Sequence, residues 1–207
     1  MNTRLHPALL LVIGTLALAS CSKDDDTTVT PAVQAKTVSN LATVGTTSTT
    51  GAPVAPKHYT FYSLVDGKEV AYTDSNSTKW DVAVNRTTII INGGSSGPGQ
   101  GGAQVLSKLF AEVTTAPTSG YAVDAVGAPA IPISTGNPDR WYTYNSSTNV
   151  VTPTAGRVLM IRTAAGKYAK MEILSYYQNA PTAPTSANAS GYYTFRYVYQ
   201  PSGTSLQ

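Results

Sequence analysis

Apolar and β-branched residues recur along the chain in short runs broken by turn formers, the rhythm of strands. Tyr59-Thr60-Phe61-Tyr62-Ser63-Leu64-Val65 and Lys68-Glu69-Val70-Ala71-Tyr72 flank Asp66-Gly67. That order predicts a hairpin closed by a type I′ turn, with both central residues at positive φ. Trp80, Val82 and Val84 alternate with Asp81, Ala83 and Asn85, as in a half-buried strand, whereas Thr87 to Ile91 is an unbroken β-branched run suited to a fully buried one. A second hairpin is predicted where Arg157 to Thr163 and Lys167 to Tyr176 flank Ala164-Ala165-Gly166; Lys170 and Glu172 share one face of its second arm, Ala169, Met171 and Ile173 the other. The last strand, Tyr192 to Gln200, sets Tyr193, Phe195, Tyr197 and Tyr199 against Thr194, Arg196 and Val198. Beyond the N-terminal segment only Ala103 to Val113 has a spacing that a helix would also satisfy. The pattern predicts one all-β domain over residues 57–207, antiparallel sheets packed as a sandwich-like body.

The chain upstream reads differently. Arg4 precedes an apolar run from Ala8 to Leu18 that is too short to span a bilayer, so residues 1–20 read as a secretory signal. Leu18-Ala19-Ser20-Cys21 then places small residues before a cysteine, as in a lipobox: a thiol at the new N-terminus takes a diacylglycerol thioether. Acyl chains contribute about 0.8 kcal/mol per buried CH₂, so two or three make a stable membrane anchor. Cys21 is the single cysteine of the chain, and once acylated it leaves no thiol for disulfides, zinc sites or nucleophilic catalysis. Residues 21–56 carry no aromatic side chain and are rich in Thr, Ala, Ser, Val and Pro. They predict a lipidated flexible tether, disordered because it has little apolar surface to bury. The tether opens with Ser22-Lys23-Asp24-Asp25-Asp26, which resembles the export signal that sends lipoproteins of Bacteroidota to the outer face of the outer membrane.

Composition narrows the function. Removing residues 1–20 takes away Arg4 and no acid, so the mature charge is 13 − 11, or +2. A near-neutral chain without a basic stripe does not suit nucleic acid. His6 leaves with the signal and His58 is the only other histidine, just ahead of the first strand of the domain. Neither a histidine-based catalytic site nor a clustered metal site is visible, and no enzymatic activity is expected. Gly97, Gly99 and Gly102 with Asp124 imitate a dinucleotide fingerprint. Pro98 inside the turn and the lack of strand–helix alternation argue against it. The stretch Asn92 to Gly102 reads as a flexible inter-strand loop whose glycines permit positive φ.

Several segments together resemble the HmuY family of haem-binding lipoproteins: Trp80-Asp81-Val82-Ala83-Val84-Asn85-Arg86, Asn92 with the glycine stretch, Pro117 through Gly120-Tyr121 to Val123-Asp124, Arg157-Val158-Leu159-Met160-Ile161-Arg162, Gly166-Lys167-Tyr168-Ala169-Lys170 and Tyr193-Thr194-Phe195 with Tyr197. The resemblance runs in order over residues 59–200. It implies an all-β domain held by lipid at the outer membrane, binding haem or a related tetrapyrrole for transfer to an outer-membrane transporter. It also implies two iron-ligating histidines between the Val123-Asp124 region and Arg157, and this chain has none there. Aligned on Trp141, Ser146 falls near one ligand position, and the loop for the other is missing around Ala128 to Asp139. Met160 and Met171 sit inside hairpin strands and match no ligand position. Tyr142 and Tyr144 remain as candidate ligand-binding residues, since tyrosinate can ligate haem iron; more often such tyrosines are sheet-surface or core residues. Two readings stay open: capture of haem or a similar flat molecule at the cell surface, or a structural or adhesive surface protein binding protein or glycan through a tyrosine-rich β face. A cleft near Tyr142 to Val151 favours the first, a flat filled surface the second.

Overall fold

The computed structural model describes Met1, residues 33–43 and residues 58–207. The predicted signal segment, Cys21 and Ser22, Lys23, Asp24, Asp25 and Asp26 lie outside the described residues. In chain order the strands are β1 (Lys36–Ala42), β2 (Thr60–Ser63), β3 (Lys68–Val70), β4 (Val82–Asn85), β5 (Thr88–Ile91), β6 (Gly102–Ser107), β7 (Tyr142–Asn145), β8 (Val150–Pro153), β9 (Arg157–Arg162), β10 (Tyr168–Tyr177) and β11 (Ser190–Gln200). They form a five-stranded sheet ordered β1-β11-β10-β9-β6, a four-stranded sheet ordered β3-β2-β4-β5 and the separate pair β7-β8. Every pairing is antiparallel.

The two larger sheets meet face to face. Tyr62, Leu64, Val82, Val84, Ile89 and Ile91 from the smaller sheet pack in one cluster with Leu159, Ile161, Met171, Ile173, Tyr193, Phe195 and Tyr197 from the larger. Full burial of such side chains contributes about 1.5–3 kcal/mol each, so this layer carries most of the stability. The larger sheet is covered on its other face as well, where Val158, Met160 and Val198 pack under Phe110, Val113, Ala116 and Leu206.

The sandwich-like all-β expectation holds, but particular elements differ from the sequence reading. Residues 21–56 are not tether throughout: Lys36–Ala42 pairs with β11 as an edge strand. Leu41 is buried, and Thr60 Oγ1 donates to the Ala42 carbonyl at 2.7 Å. A segment of weak intrinsic preference becomes a strand because a finished sheet edge offers it partners. The first hairpin closes through the four residues Leu64 to Gly67, with Gly67 N donating to the Ser63 carbonyl at 2.9 Å. Only Gly67 takes a positive φ there, 68°; a two-residue turn is excluded because Leu64 is pulled into the core. The expected burial of β4 and β5 is exchanged. Val82, Ala83 and Val84 are all buried while Thr88–Ile91 alternates, since β4 is central and β5 is an edge. Ala103 to Val113 is not a helix; it holds β6 and a short 3₁₀ turn at Phe110–Glu112.

Buried polar side chains tie the turns together. The Asp81 carboxylate accepts from Leu64 N at 2.8 Å and Ala164 N at 3.0 Å, joining a turn of each sheet. Burial raises its pKa above the ordinary carboxylate value, and the backbone donors oppose that only in part. Asp124 accepts from Ile91 N at 2.8 Å and Ala130 N at 2.7 Å. Lys170, predicted on the polar face, is buried beneath the 3₁₀ turn, where Nζ donates to the carbonyls of Phe110 at 3.1 Å and Val113 at 2.8 Å. The glycine stretch is a packed loop organised by Asn92, whose Nδ2 donates to Ser77 and Trp80 carbonyls and whose Oδ1 accepts from Gly99 N. Gly94 takes a left-handed φ of 61°. Gly101 serves close approach: a Cβ there would collide with the Asn92 carbonyl oxygen and lie 2.7 Å from Ile91 Cγ2.

Candidate functional site

The β4–β5 turn is the floor from which a cleft is built. Its central residues, Arg86 and Thr87, each have the backbone carbonyl held by an aromatic donor from the core. Tyr193 Oη donates to the Arg86 carbonyl at 2.8 Å, and Trp141 Nε1 donates to that of Thr87 at 3.0 Å. Arg86 itself adopts φ 49°, a left-handed conformation that a side chain tolerates poorly, and the Tyr193 bond helps to hold it. Tyr193 and Trp141 are fully buried and lie 5.3 Å apart between ring centroids.

Trp141 anchors the β7–β8 pair, and alternation then does the rest. Tyr142 and Tyr144 fall on one face of β7. The turn beyond them is organised by Asn145, whose Oδ1 accepts from Ser147 N at 2.9 Å. The pair docks on β10 through Tyr177, whose hydroxyl accepts from Val151 N at 2.9 Å. Tyr176 and Tyr177 are adjacent in a strand, yet both reach the same cleft because the β10–β11 register shifts between Ser175 and Tyr177.

These elements, with the loop before β11, enclose a cleft of about 390 Å³, lined by Arg86, Thr87, Thr135, Arg140, Tyr142, Tyr144, Asn149, Val151, Tyr176, Tyr177, Ser186, Asn188 and Ser190. The lining contains two arginines and no carboxylate. Arg140 Nε donates to the Tyr142 carbonyl at 2.8 Å, and its guanidinium carbon lies 4.5 Å from the Tyr142 ring centroid. Tyr144 Oη donates to Asn149 Oδ1 at 2.7 Å. Burial, then the neighbouring Tyr177, pushes Tyr176 up to about 12, with Arg86 pulling the other way. Tyr193 is raised well above its ordinary value by burial. Both phenols therefore stay neutral at physiological pH.

Tyr142 and Tyr144 are thus brought together in one cleft, Tyr142 buried and Tyr144 half exposed. Ser146 is at the exposed tip of the β7–β8 turn and is not in the lining, whereas the segment from Ala128 to Asp139 contributes Thr135. Met160 and Met171 are fully buried in their strands. His58 stacks on Tyr72 at 4.3 Å and takes no part. Among the described residues no three His, Cys, Asp or Glu side chains gather as a metal site, and no helix is long and apolar enough to cross a membrane. Arg86, Arg140, Tyr176 and Tyr177 were not singled out from sequence. Arg86 carries no local signal beyond its place after a strand, and the Tyr176-Tyr177 pair would be read as facing opposite ways. Among the described residues the surface also holds a hollow of about 460 Å³ beyond Asn149 and one of about 400 Å³ beside Ala125 to Pro129. Neither is lined by a charged side chain.

A family model described as HmuY protein matches residues 55–197. The apo HmuY analog of Tannerella forsythia shares the fold with a TM-score of 0.51 at 15% identity, over 82% of this chain and 96% of its own. A Bacteroides fragilis protein assigned as a lipoprotein gives 0.49 at 19% identity, covering 84% and 94% of the two chains. A Bacteroides vulgatus protein assigned as an HmuY-like heme-binding protein gives 0.43 at 21% identity, covering 68% and 84%. No curated protein matches the chain significantly.

Proposed function

The chain belongs to the HmuY family, and from that premise we propose that it is a surface lipoprotein that captures a tetrapyrrole, haem foremost, in the cleft between β7–β8 and the end of β10. The observation that carries the reading is the lining: tyrosine rings for a flat ligand, two guanidiniums for its carboxylates and no opposing acid. A cleft of about 390 Å³ falls in the range of small-molecule sites, roughly 300–1,000 Å³. The lining holds no His, Met or Cys, so the two-histidine iron ligation implied by the family resemblance has no counterpart in it. Tyr142 and Tyr144 are the proposed ligand-contacting residues. The activity is binding without a chemical step, followed by delivery to an outer-membrane transporter.

The adhesive alternative needs a tyrosine-rich outer face. Six of the thirteen tyrosines, Tyr62, Tyr142, Tyr176, Tyr177, Tyr193 and Tyr197, are buried instead, so that reading is the less favoured.

Anchoring would follow from Cys21, with Ser22, Lys23, Asp24, Asp25 and Asp26 directing export. With β1 beginning at Lys36, the proposed tether between anchor and sheet comprises residues 22–35. Fourteen residues reach about 50 Å at full extension. Haemin titrated into micromolar protein tests the capture reading. A shifted Soret band that saturates supports it, and an unshifted one removes it.

A further inference from the structure

Resting on that reading of the cleft, we infer that this chain grips its ligand by the carboxylate edge and the ring face and leaves the metal alone, so that its ligand class is the anionic porphyrin, metal-free as readily as iron-loaded.

The argument starts with the charges. The ion pairs among the described residues are Lys68–Asp66, Lys79–Asp74 and Arg196–Glu172, none of them at the cleft. Arg86 and Arg140 therefore meet no acid there. The Arg86 backbone is fixed from below by Tyr193, while its side chain is exposed. Arg140 uses Nε on the Tyr142 carbonyl, which leaves its two terminal nitrogens to point a fork at a carboxylate. A porphyrin with two propionates offers two such groups.

The iron side of the site is poorly supplied. Haem iron is held by imidazole, thioether, thiolate or phenolate, and the lining provides only phenols. Tyr144 already donates to Asn149, and Tyr142 is buried with its ring packed against the Arg140 guanidinium. Tyr177 is engaged by Val151 N, and the burial that raises Tyr176 opposes its ionisation. Rings so placed serve as stacking surfaces rather than as ligands.

The test titrates the full chain in detergent with three probes: haemin, free-base protoporphyrin IX and its dimethyl ester. Each is followed by Soret absorbance and by quenching of tryptophan fluorescence. The inference expects haemin and the free base to bind within about threefold of each other, and the ester at least about tenfold more weakly, one lost charge-assisted contact or more. The double variant Arg86→Gln/Arg140→Gln should weaken both acids by about tenfold or more and bring them near the ester. The haemin complex should show no phenolate-to-iron charge-transfer band. Haemin binding about tenfold tighter than the free base, or a charge-transfer band, would overturn the inference and leave capture standing. Binding of none of the three would remove the tetrapyrrole reading itself, and the inference with it.

Discussion

Changing Tyr193 to Phe removes one oxygen from the middle of the molecule and nothing else. The ring stays in place, so the cost is that of the hydrogen bond to the Arg86 carbonyl at 2.8 Å. A neutral bond of this kind contributes about 0.5–1.5 kcal/mol net. The carbonyl it leaves belongs to a residue at φ 49°, and a left-handed side-chain-bearing residue costs roughly 1–2 kcal/mol to hold. Loss of the restraint therefore puts the destabilisation at about 1–2 kcal/mol, a fall in Tm of about 2–8 °C for a domain of this size. Urea and thermal unfolding followed by the fluorescence of Trp80 and Trp141 reads it. Tyr197→Phe is the matched control. It lies on the same strand and face, and its buried hydroxyl meets the neighbouring Tyr62 without a hydrogen bond of ordinary geometry, so removing that oxygen should cost less. Because Arg86 lines the cleft, Tyr193→Phe should also weaken haemin by about threefold, and the control should not. Equal costs for the two variants would refute the claim that Tyr193 holds the turn. A loss of stability with unchanged haemin affinity would refute the claim that the core positions Arg86 for binding.

Other outcomes follow from the same physics. The raised Asp81 pKa means that the folded chain keeps this proton where the unfolded chain has lost it. Stability on its account is therefore greatest at low pH and falls as pH rises from the ordinary carboxyl value, about 3.9, through the raised folded one. Above that interval it levels off. The Tm of wild type minus that of Asp81→Asn should accordingly fall as pH rises through that interval; a rise contradicts the assignment. Gly101→Ala drives a methyl into the Asn92 carbonyl and should cost about 1–3 kcal/mol or more by overpacking, measured as a lower urea midpoint. Cys21→Ala should abolish lipid attachment, so that mass spectrometry finds no acylated N-terminus and the protein leaves the membrane fraction; an unchanged membrane fraction argues for another anchor.

Much of this protein is local in its physics and therefore legible in the chain. Strict alternation at Tyr193, Phe195 and Tyr197 settles which face of β11 enters the core, because neighbouring side chains in a strand can only point opposite ways. The Ala164-Ala165-Gly166 hairpin was readable for the same reason, and family membership followed from the order of such segments. What each segment packs against is another matter. Lys36–Ala42 has little preference of its own and is a strand because β11 presents an open edge. Lys170 looks solvated until the Phe110–Glu112 turn covers it. The cleft is the extreme case: Arg86 is fixed by a tyrosine 107 positions away, and Tyr176 joins Tyr177 only through a register shift. Periodicity speaks for a few residues at a time, whereas a site is made where distant turns converge, and only the folded chain decides which of them meet.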